Sequence, residues 1–449
     1  MHILKFGGTS MGDEHTWRKV VRIIERYEHP FVVVSATART TRQLLAAAEK
    51  ALNDLGDAKL IADDIRTRHQ TIVSNLLANS TSTNSEILDK CNDWINLRLT
   101  ELESLLNKIH KEQECTAAIK DAVASIGERL SSYLFAQCGE ALGLPTYWLD
   151  AAKFIRTDSA FGKANPDLNY IDKQAKRLRN KLSGSVIPVM GGYYGKDSDE
   201  NFTTLGFEGS DYTASLVGAA LAAEAIEIWT DVSGIYTCDP RVVSEARPIP
   251  ELSFQEATEL AYFGAKVLHP STTKPASLKQ IPVFVKNIFE PDQPGTRISN
   301  ETTADRRVKA MTFKEDCVVI TVTSSNTVMG YEFLAGVFDT LRRHHLPVDV
   351  VTTTEASVSI ATESDNGINK AVDKLQEFGS VELTSDLGII SLIGCRVEND
   401  QHLIQEVLSK LNSSSVDLIS YSNSKGNLNI VLHKTKIIPS VIAIHKQLF

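Results

Sequence analysis

The chain begins with residues that could bind phosphate, in the stretch KFGGTS at positions 5–10. Lys5 offers a positive charge, and Gly7, Gly8, Thr9 and Ser10 follow it. Adjacent glycines give up side-chain packing, so the backbone there is open to close approach by a ligand. Backbone N–H groups of a loop that leads into a helix, together with a lysine ammonium, bind the oxygens of an anion. The alternative is a plain strand-to-helix turn, and the rest of the chain must decide between the two.

Three further stretches could contribute to the same chemistry. They are MGGYYG at 190–195, TTLGFEGSDYTASLVGAAL at 203–221 and IWTDVSGIYTCDPR at 228–241. The second places Ser210 and Asp211 at the start of a helix of small residues, where an anion is favoured by the helix dipole. It matches neither the dinucleotide fingerprint nor the GxxxxGK[ST] phosphate loop. Singly, each stretch could be a tight turn or a helix cap, but together they indicate a phosphate-binding cleft.

The elements that must position these residues alternate between strand and helix. Short apolar runs at 2–6, 31–36, 186–190, 225–229 and 281–285 are typical of buried parallel strands. Helical spacing separates these runs, and the region 42–115 is mostly helical. Strands that alternate with helices predict an α/β sandwich around a mainly parallel sheet, with the polar residues at the carboxyl ends of the strands.

The C-terminal third contains an internal duplication. LPVDVVTTTEASVSI matches SSVDLISYSNSKGNLNI, which aligns Asp349 with Asp417. Each copy is read as strand, helix, strand, turn and strand, so we predict two ferredoxin-like βαββαβ modules. The run 308–313 is expected to pair with the second module, which would nest one module within the other.

Composition restricts the class of protein. Hydrophobic residues make up 42% and charged residues 23% of the 449 positions, and the net charge is −9. These values are typical of a globular protein and argue against a general nucleic-acid binder. We expect no membrane span, no signal peptide and, because the six cysteines are widely spaced, a cytoplasmic location with reduced thiols.

Seven ordered motifs resemble those of the aspartokinases. They are KFGGTS, IGERLSS (126–132), RTDSAFGKANPD (156–167), GGYYG, TTLG with GSDYTA, IWTDVSGIYTCDPR and FGAKVLHP (263–270). The resemblance spans the whole chain and implies the amino-acid kinase three-layer sandwich, followed by two ACT regulatory modules. The implied limits are 1–300 for the kinase domain, 308–385 for the first module and 386–449 for the second, completed by 308–316.

The resemblance also implies the reaction. Aspartokinases transfer the γ-phosphoryl group of ATP, with Mg²⁺, to the side-chain carboxylate of L-aspartate, in the synthesis of lysine, threonine and methionine. A carboxylate is already a nucleophile at neutral pH, so catalysis reduces to positioning and charge neutralisation.

The implied catalytic residues are Lys5 and Asp211. The implied substrate-binding residues are Ser35, Thr41, Glu128 and Ser210, although Glu128 could also be an ordinary glutamate at a helix N-terminus. The implied phosphate- and ATP-binding residues are Gly7, Gly8, Thr9, Ser10, Thr230, Asp231, Tyr236, Asp239, Arg241 and Lys266; no protein metal ligand is assigned.

One position departs from the family pattern. Aspartokinases read TLGRGGSD, in which the arginine grips a substrate carboxylate, whereas this chain has Phe207 and Glu208 in TLGFEGSD. Either another cation, such as Arg156 or Lys153, takes that role, or aspartate binds weakly. Two alternatives therefore stay open: a catalytically weak paralogue that binds amino acids and regulates a partner, and a kinase of another acidic amino acid.

The C-terminal modules resemble the inhibitor-binding part of lysine-sensitive aspartokinases. This implies feedback by lysine or threonine and a homodimer or homotetramer formed through the ACT modules; we expect no fused homoserine dehydrogenase. The effector-binding candidates are Gly330, Tyr331, Phe333, Asp349, Thr354 and Glu355. The alternative for Asp349 is a pairing within its own module. The family's HSRGF reads MGYEF here, so the effector could differ from lysine.

Overall fold

A computed structural model describes most of the chain. It covers residues 1–78, 82–180, 186–264, 270–300, 308–325, 330–364, 367–394, 402–411, 415–422 and 426–449. The chain forms two compact units, Met1–Ile235 with Leu268–Glu301, and Tyr236–Val267 with Thr302–Phe449. The segment Tyr236–Val267, which the sequence assigns to the kinase domain, thus belongs to the same compact unit as the C-terminal modules. No helix within the described ranges is long and apolar enough to cross a membrane.

The first unit is an α/β structure, as expected. Its strands are β1 (His2–Phe6), β2 (Pro30–Val34), β3 (Thr146–Leu149), β4 (Ile187–Gly191), β5 (Tyr194–Lys196), β6 (Phe202–Thr204), β7 (Ala225–Thr230), β9 (Val283–Asn287) and β10 (Thr296–Ser299). Its helices are α1 (Glu14–Ile24), α2 (Thr40–Ala51), α3 (Leu55–Leu76), α4 (Ser82–Glu112), α5 (Ala117–Ala141), α6 (Ala151–Phe154), α7 (Leu168–Arg179), α8 (Gly209–Leu221) and α10 (Pro270–Leu278).

The main sheet of this unit is mostly parallel. Its strands follow the order β3-β4-β2-β1-β7-β9-β10, and the β9–β10 pair is antiparallel. Side chains alternate between its faces. Leu4 and Phe6 join a large apolar cluster with helices α1–α5, whereas a Cβ at Gly218 of α8 would lie 3.4 Å from Ile3. Helices therefore cover both faces, which gives the three-layer sandwich.

The strand register brings the glycine-rich turns to one edge of the sheet. Phe6 pairs with Val34 of β2 and with Trp229 of β7, and Val34 pairs with Gly191 of β4. The residues that follow these strands therefore emerge together at the carboxyl edge, where ligands of open parallel sheets bind. Gly7 belongs to this set of residues.

The second unit is built on an antiparallel sheet. The strands of this unit are β8 (Glu251–Ser253), which lies outside that sheet, and β11 (Ala310–Ser324), β12 (Val350–Thr353), β13 (Ser357–Glu363), β14 (Gly379–Ile393), β15 (Val416–Ser422) and β16 (Asn427–His433). Its helices are α9 (Phe254–Tyr262), α11 (Tyr331–Arg343), α12 (Ile368–Leu375), α13 (Leu403–Ser409) and α14 (Lys434–Leu448). Six strands form one sheet in the order β12-β13-β11-β14-β16-β15.

Two long strands join the repeated modules. The first part of β11, Ala310–Lys314, lies antiparallel to Ile389–Ile393 of β14, while the rest of β11 pairs with β13 and with the start of β14. Separate apolar clusters lie under the two halves of the sheet, one with Phe333 and Val337, the other with Leu403 and Val441. Each module thus has its own core. The domain limits stated above remain a prediction.

Candidate active site

A buried ion pair lies at the carboxyl edge of the main sheet. Lys5 is next to last in β1, and its Nζ lies 2.8 Å from Oδ1 of Asp211, in the first turn of α8. Both side chains are less than one-tenth exposed, at 8% and 9%. A lysine and an aspartate held this close in a poorly solvated place attract each other more strongly than a surface pair does. The structure therefore brings together the two residues assigned to catalysis.

The first glycine turn continues from Lys5. The Gly7 N–H donates to the carbonyl of Trp229 at 3.1 Å, and a Cβ at Gly7 would lie 3.7 Å from the Lys5 ammonium. Gly7 and Gly8 are half-buried and Thr9 is exposed. Ser10 is fully buried, and its hydroxyl donates to the same Trp229 carbonyl at 3.1 Å. The turn is thus fastened to β7 while its glycine backbone stays partly open.

Glu128 lies in the middle of α5. It is therefore not a glutamate that stabilises a helix N-terminus, which was the alternative for this residue. It is 4% exposed, and its Oε2 has no hydrogen-bond partner among the described residues. Burial raises the pKa of Glu128 to about 8, although the Ala36 N–H and the charge of Lys5 act to lower that pKa. A buried carboxyl group with an unsatisfied oxygen beside a lysine is suited to receive a cationic donor from a ligand.

The loop between β2 and α2 lies beside Glu128. A Cβ at Gly127 would come within 2.9 Å of the Ala36 side chain, and Ser131 donates to the carbonyl of Ser35 at 2.8 Å. Ser35 is half-buried, and so is Thr41 in the first turn of α2. The hydroxyl of Thr37 is buried and has no partner within the part of the chain that the structure describes. This loop therefore offers polar groups near Glu128.

The MGGYYG stretch and the GFEGSD turn meet at the start of α8. A Cβ at Gly192 would lie 2.6 Å from Cα of Ser210, and one at Gly191 would lie 2.8 Å from the carbonyl of Glu128. The glycines thus let the end of β4 pass between α5 and the N-terminus of α8. Ser210 is buried in this contact.

We expect the Gly192→Ala substitution to disturb the site. The added methyl group would meet Ser210 backbone at 2.6 Å, which is too close without a shift of the α8 N-terminus that carries Asp211. We predict a loss of stability of about 1–3 kcal/mol, seen as a lower melting temperature, together with a lower kcat. Gly56→Ala is the control, because its methyl group would meet only the tip of the Asp54 side chain, at 3.2 Å. A Gly192→Ala protein as stable and active as the wild type would contradict this reading.

Comparison with known proteins identifies the family. The model of the amino acid kinase family matches residues 1–287. Lysine-sensitive aspartokinase 3 of Escherichia coli is 33% identical over 462 residues, which cover 100% of this chain and 99% of that protein. This chain is an aspartokinase. The chloroplastic aspartokinase 3 of Arabidopsis thaliana is 32% identical, over 100% of this chain and 81% of its own length.

Solved aspartokinases share the fold. The R-state crystal structure of E. coli aspartokinase III in complex with aspartate and ADP superposes with a TM-score of 0.87, at 32% identity, over 100% of both chains. The T-state structure of the same enzyme in complex with lysine and aspartate gives a TM-score of 0.81 and covers 100% of this chain and 99% of that one. The predicted combination of an amino-acid kinase sandwich with ACT modules is confirmed.

The residues assigned to the nucleotide pocket of this aspartokinase divide between the two compact units. Thr230 ends β7 and Asp231 follows it in the first unit, where the Thr230 hydroxyl donates to the Asp231 carboxylate at 3.0 Å. Tyr236 begins the second unit, and Arg241 forms an exposed ion pair with Asp239 at 2.6 Å. Lys266 lies outside the described residues. All these nucleotide-binding assignments stay predictions.

The effector candidates have different surroundings. Phe333 is buried in the core of its module, whereas Tyr331 is 94% exposed in the first turn of α11, just after Gly330. Thr354 and Glu355 lie in the exposed turn between β12 and β13.

Asp349 forms an ion pair within its own module. Its Oδ1 lies 2.9 Å from Nζ of Lys314, which also lies 2.8 Å from Glu363. The Asp349 side chain is 2% exposed, and burial raises its pKa even though Lys314 acts to lower it. The second carboxylate oxygen, Oδ2, is buried without a hydrogen-bond partner among the described residues. The pairing that was the alternative for Asp349 is therefore present, and one oxygen remains unsatisfied.

Sequence reasoning missed a second buried carboxylate on α5, that of Asp121. Its Oδ2 accepts from the backbone N–H groups of Gly162 and Thr204, both at 2.8 Å, and its Oδ1 accepts from the Thr204 hydroxyl at 2.9 Å. Burial raises the pKa of Asp121, while these hydrogen bonds lower it. Because Asp121 lies outside all the motifs, nothing in the sequence marked it.

Proposed function

We propose that this aspartokinase transfers the γ-phosphoryl group of ATP to the side-chain carboxylate of L-aspartate at the Lys5–Asp211–Glu128 site. A carboxylate oxygen of aspartate forms the new bond to phosphorus, the bond between that phosphorus and the bridging oxygen breaks, and ADP leaves with the electron pair. The products are 4-phospho-L-aspartate and ADP. The observation that supports this site is the buried Lys5–Asp211 pair, next to a glycine turn and an unsatisfied Glu128.

Each residue of this site has a separate role in the proposal. Lys5 neutralises charge on the phosphoryl group during transfer, and the backbone of Gly7, Gly8 and Thr9 surrounds that group, with Ser10 fastening the turn. Glu128 binds the α-ammonium of aspartate. Ser35, Thr41 and Ser210 supply hydrogen bonds to the substrate. Ser35 lies in the loop beside Glu128, Thr41 in the first turn of α2 and Ser210 in the first turn of α8. The nucleotide is held by the carboxyl end of β7, through Thr230 and Asp231, and by Tyr236, Asp239, Arg241 and Lys266.

Magnesium fits this arrangement as the partner of ATP. The ion usually keeps several waters and binds through one or two carboxylates plus the phosphates of the nucleotide. Among the described residues no cluster of three or more His, Cys, Asp or Glu side chains is suited to hold a metal ion alone. No protein residue is assigned as a metal ligand: Asp211, 2.8 Å from Lys5, would act through that lysine or through the ion of Mg²⁺–ATP, which would neutralise phosphate charge.

The turnover experiment tests this proposal and its alternatives. Purified protein is expected to release ADP from Mg²⁺–ATP only when L-aspartate is present, and to form an acyl phosphate that hydroxylamine traps. A kinase of another acidic amino acid would instead prefer L-glutamate or N-acetyl-L-glutamate in the same assay. A regulatory paralogue would bind aspartate and ATP without releasing ADP, and either of these results would reject the proposal.

We further propose lysine as the feedback inhibitor, bound to the first C-terminal module. Support comes from the similarity to the lysine-sensitive E. coli enzyme, solved with lysine, and from the unsatisfied, buried Oδ2 of Asp349. The ammonium group of a bound amino acid is stabilised by a carboxylate, and Oδ2 of Asp349 could accept a hydrogen bond from it. Gly330, Tyr331, Thr354 and Glu355 remain candidates for the rest of the effector site. Phe333, which is buried in the module core, would support the effector site from below and not from its surface.

We expect lysine to inhibit turnover, and Asp349→Asn to raise the half-inhibitory lysine concentration at least about tenfold. The reason is that the amide keeps the shape of the carboxylate but loses the charge that the effector ammonium would meet. Inhibition curves with lysine and with threonine, on wild type and variant, check this. Glu377→Gln is the matched control, because Glu377 forms an exposed pair with Lys374 at 2.6 Å in the same module. Equal lysine sensitivity of wild type and Asp349→Asn would reject the assigned site.

The proposal also covers the oligomeric state of the protein, its cellular location and the limits of its domains. We propose a homodimer or homotetramer formed through the ACT modules, which light scattering with and without lysine would test. We also propose a cytoplasmic location, although the Arabidopsis relative is chloroplastic, and fractionation of cells would decide it. The limits 1–300, 308–385 and 386–449 describe the kinase domain and the two modules.

A further inference from the structure

The turn before α8 lacks the cation that would bind the second carboxylate of aspartate. Aspartate has two carboxylates, and only one of them receives the phosphoryl group. At the family's arginine position this chain has Phe207, which is 76% exposed, and Glu208 follows it. Neither residue can neutralise the second carboxylate. The turn itself is well formed, because the Gly209 N–H donates to the carbonyl of Gly206 at 3.0 Å.

A lysine from another loop lies beside this turn. A Cβ built on Gly206 would lie 3.5 Å from Cγ and 3.7 Å from Cα of Lys163. The side-chain stem of Lys163 therefore runs against the residue that directly precedes Phe207. Beyond Cγ the side chain still has two methylenes and the ammonium, and the residue is exposed. No ion pair among the described residues involves Lys163; Glu200, for example, pairs with Arg156 at 3.5 Å and with Lys196 at 3.3 Å.

The loop that carries Lys163 is fixed on both sides. The Gly162 N–H donates to Asp121 at 2.8 Å, and the Ala164 N–H donates to the carbonyl of Thr204 at 2.9 Å. Thr204 is itself bound to Asp121 by its N–H and its hydroxyl. Asp121 thus ties the Lys163 loop to the strand that leads into the Gly206 turn. Such anchoring lowers the entropy lost when a side chain binds a ligand.

The two other cations considered from the sequence are placed less favourably. Arg156 stacks on the ring of Tyr170 at 5.0 Å and faces Glu200, which is itself mostly exposed. Lys153 lies in the short helix α6 and is exposed. Of the three, Lys163 is the one that the structure places against the Gly206 turn.

We propose that Lys163 supplies the positive charge that binds the non-reacting α-carboxylate of aspartate, in place of the arginine that is missing at position 207. This inference rests on the proposed function and names the residue that determines its substrate. Asp121 is a positioning residue for Lys163. Because a lysine ammonium is a point charge and not a planar fork, it selects for charge more than for carboxylate geometry.

The test compares aspartate with β-alanine, which is aspartate without the α-carboxylate. We expect Lys163→Met to lower kcat/KM for aspartate about tenfold to a hundredfold, since a charged hydrogen bond is lost. The kinetic constant for β-alanine, measured as substrate or as competitive inhibitor, should change less than about threefold. The aspartate dissociation constant in the presence of ADP, measured by calorimetry, should rise with the same variant. Lys163→Arg should keep most of the affinity, and Phe207→Arg should restore it in the Lys163→Met background.

Controls separate this role from a structural one. Lys173→Met is the matched control, because Lys173 is an exposed lysine of the following helix α7. Equal losses for aspartate and β-alanine, no loss at all, or a loss with Lys153→Met or Arg156→Met instead would overturn the assignment. If the wild type did not phosphorylate aspartate, the proposed function would fail, and the calorimetric comparison would still decide on Lys163.

Discussion

Replacing Lys5 with methionine is expected to lower kcat by about a hundredfold or more. Preorganised groups that stabilise developing charge contribute this much when they act in a site with little water, and Lys5 is only 7% exposed. The KM for ATP and the KM for aspartate should change much less, because the charge on the transferring group develops only during the reaction. Initial rates at saturating and limiting substrate separate the two effects.

The Lys5 substitution also needs a structural control. Removing Lys5 leaves the Asp211 carboxylate, 9% exposed, without its partner at 2.8 Å, and breaking a buried pair in this way costs about 3–5 kcal/mol. A Lys5→Met/Asp211→Asn double variant removes both charges and should regain much of the lost thermal stability. Its turnover should stay as low as that of Lys5→Met. If Lys5→Met kept turnover within tenfold of the wild type while remaining folded, Lys5 would not be the charge stabiliser.

The sequence was informative where a function depends on local pattern. The KFGGTS, MGGYYG and GSD stretches follow predicted strands or lead into predicted helices, which points to a phosphate-binding cleft, and parallel pairing brings the ends of those strands to one edge. The position of the Lys5–Asp211 pair follows from that rule. The duplication of the C-terminal modules was visible because each copy repeats the same short pattern.

Contacts between distant segments could not be predicted in this way. Asp121 ties Gly162 to Thr204 from the middle of the fold, and its neighbours in sequence give no sign of that. From its motif alone, Glu128 could be a glutamate at a helix N-terminus, whereas α5 begins further back in the chain, after the N-cap Thr116. Asp349, just before β12, meets Lys314 of β11 although β13 lies between these two strands, so the pairing depends on strand order and register. Packing within the second unit likewise holds Tyr236–Val267, which the motif order assigns to the kinase domain.

Glu128 gives the second large effect, and it depends on pH. Burial raises the pKa of Glu128 to about 8 in the free protein, so most molecules carry a neutral carboxylic acid at pH 7. Binding the ammonium of aspartate requires the carboxylate, so a proton must leave Glu128 on binding. We therefore expect the KM for aspartate to fall as pH rises, by up to about tenfold per pH unit below 8, and to level off above 8. Initial rates between pH 6.5 and 9 measure this.

Glu128→Gln should remove that pH dependence. The amide keeps the size of the side chain but can never become an anion, so the KM for aspartate should rise about tenfold or more at pH 8.5 and stay nearly constant with pH. Asp93→Asn serves as the control, because Asp93 is an exposed acid on α4. A Glu128→Gln enzyme whose aspartate KM still falls between pH 7 and 8 would show that another group is responsible.

The raised pKa of Glu128 also predicts that the folded protein loses stability as pH rises, whereas aspartate binding improves. The pKa of Glu128 is raised on folding from an ordinary value of 4.5 to about 8, so between these values the folded state binds more protons than the unfolded state. The contribution of Glu128 to the free energy of unfolding is therefore highest below 4.5 and declines as pH rises toward 8. The Glu128→Gln variant should lose this decline, so its advantage in melting temperature over the wild type should grow from pH 6 to pH 8. A constant difference between the two proteins over that range would mean that Glu128 already ionises at low pH, and that the pH dependence of aspartate binding has another source.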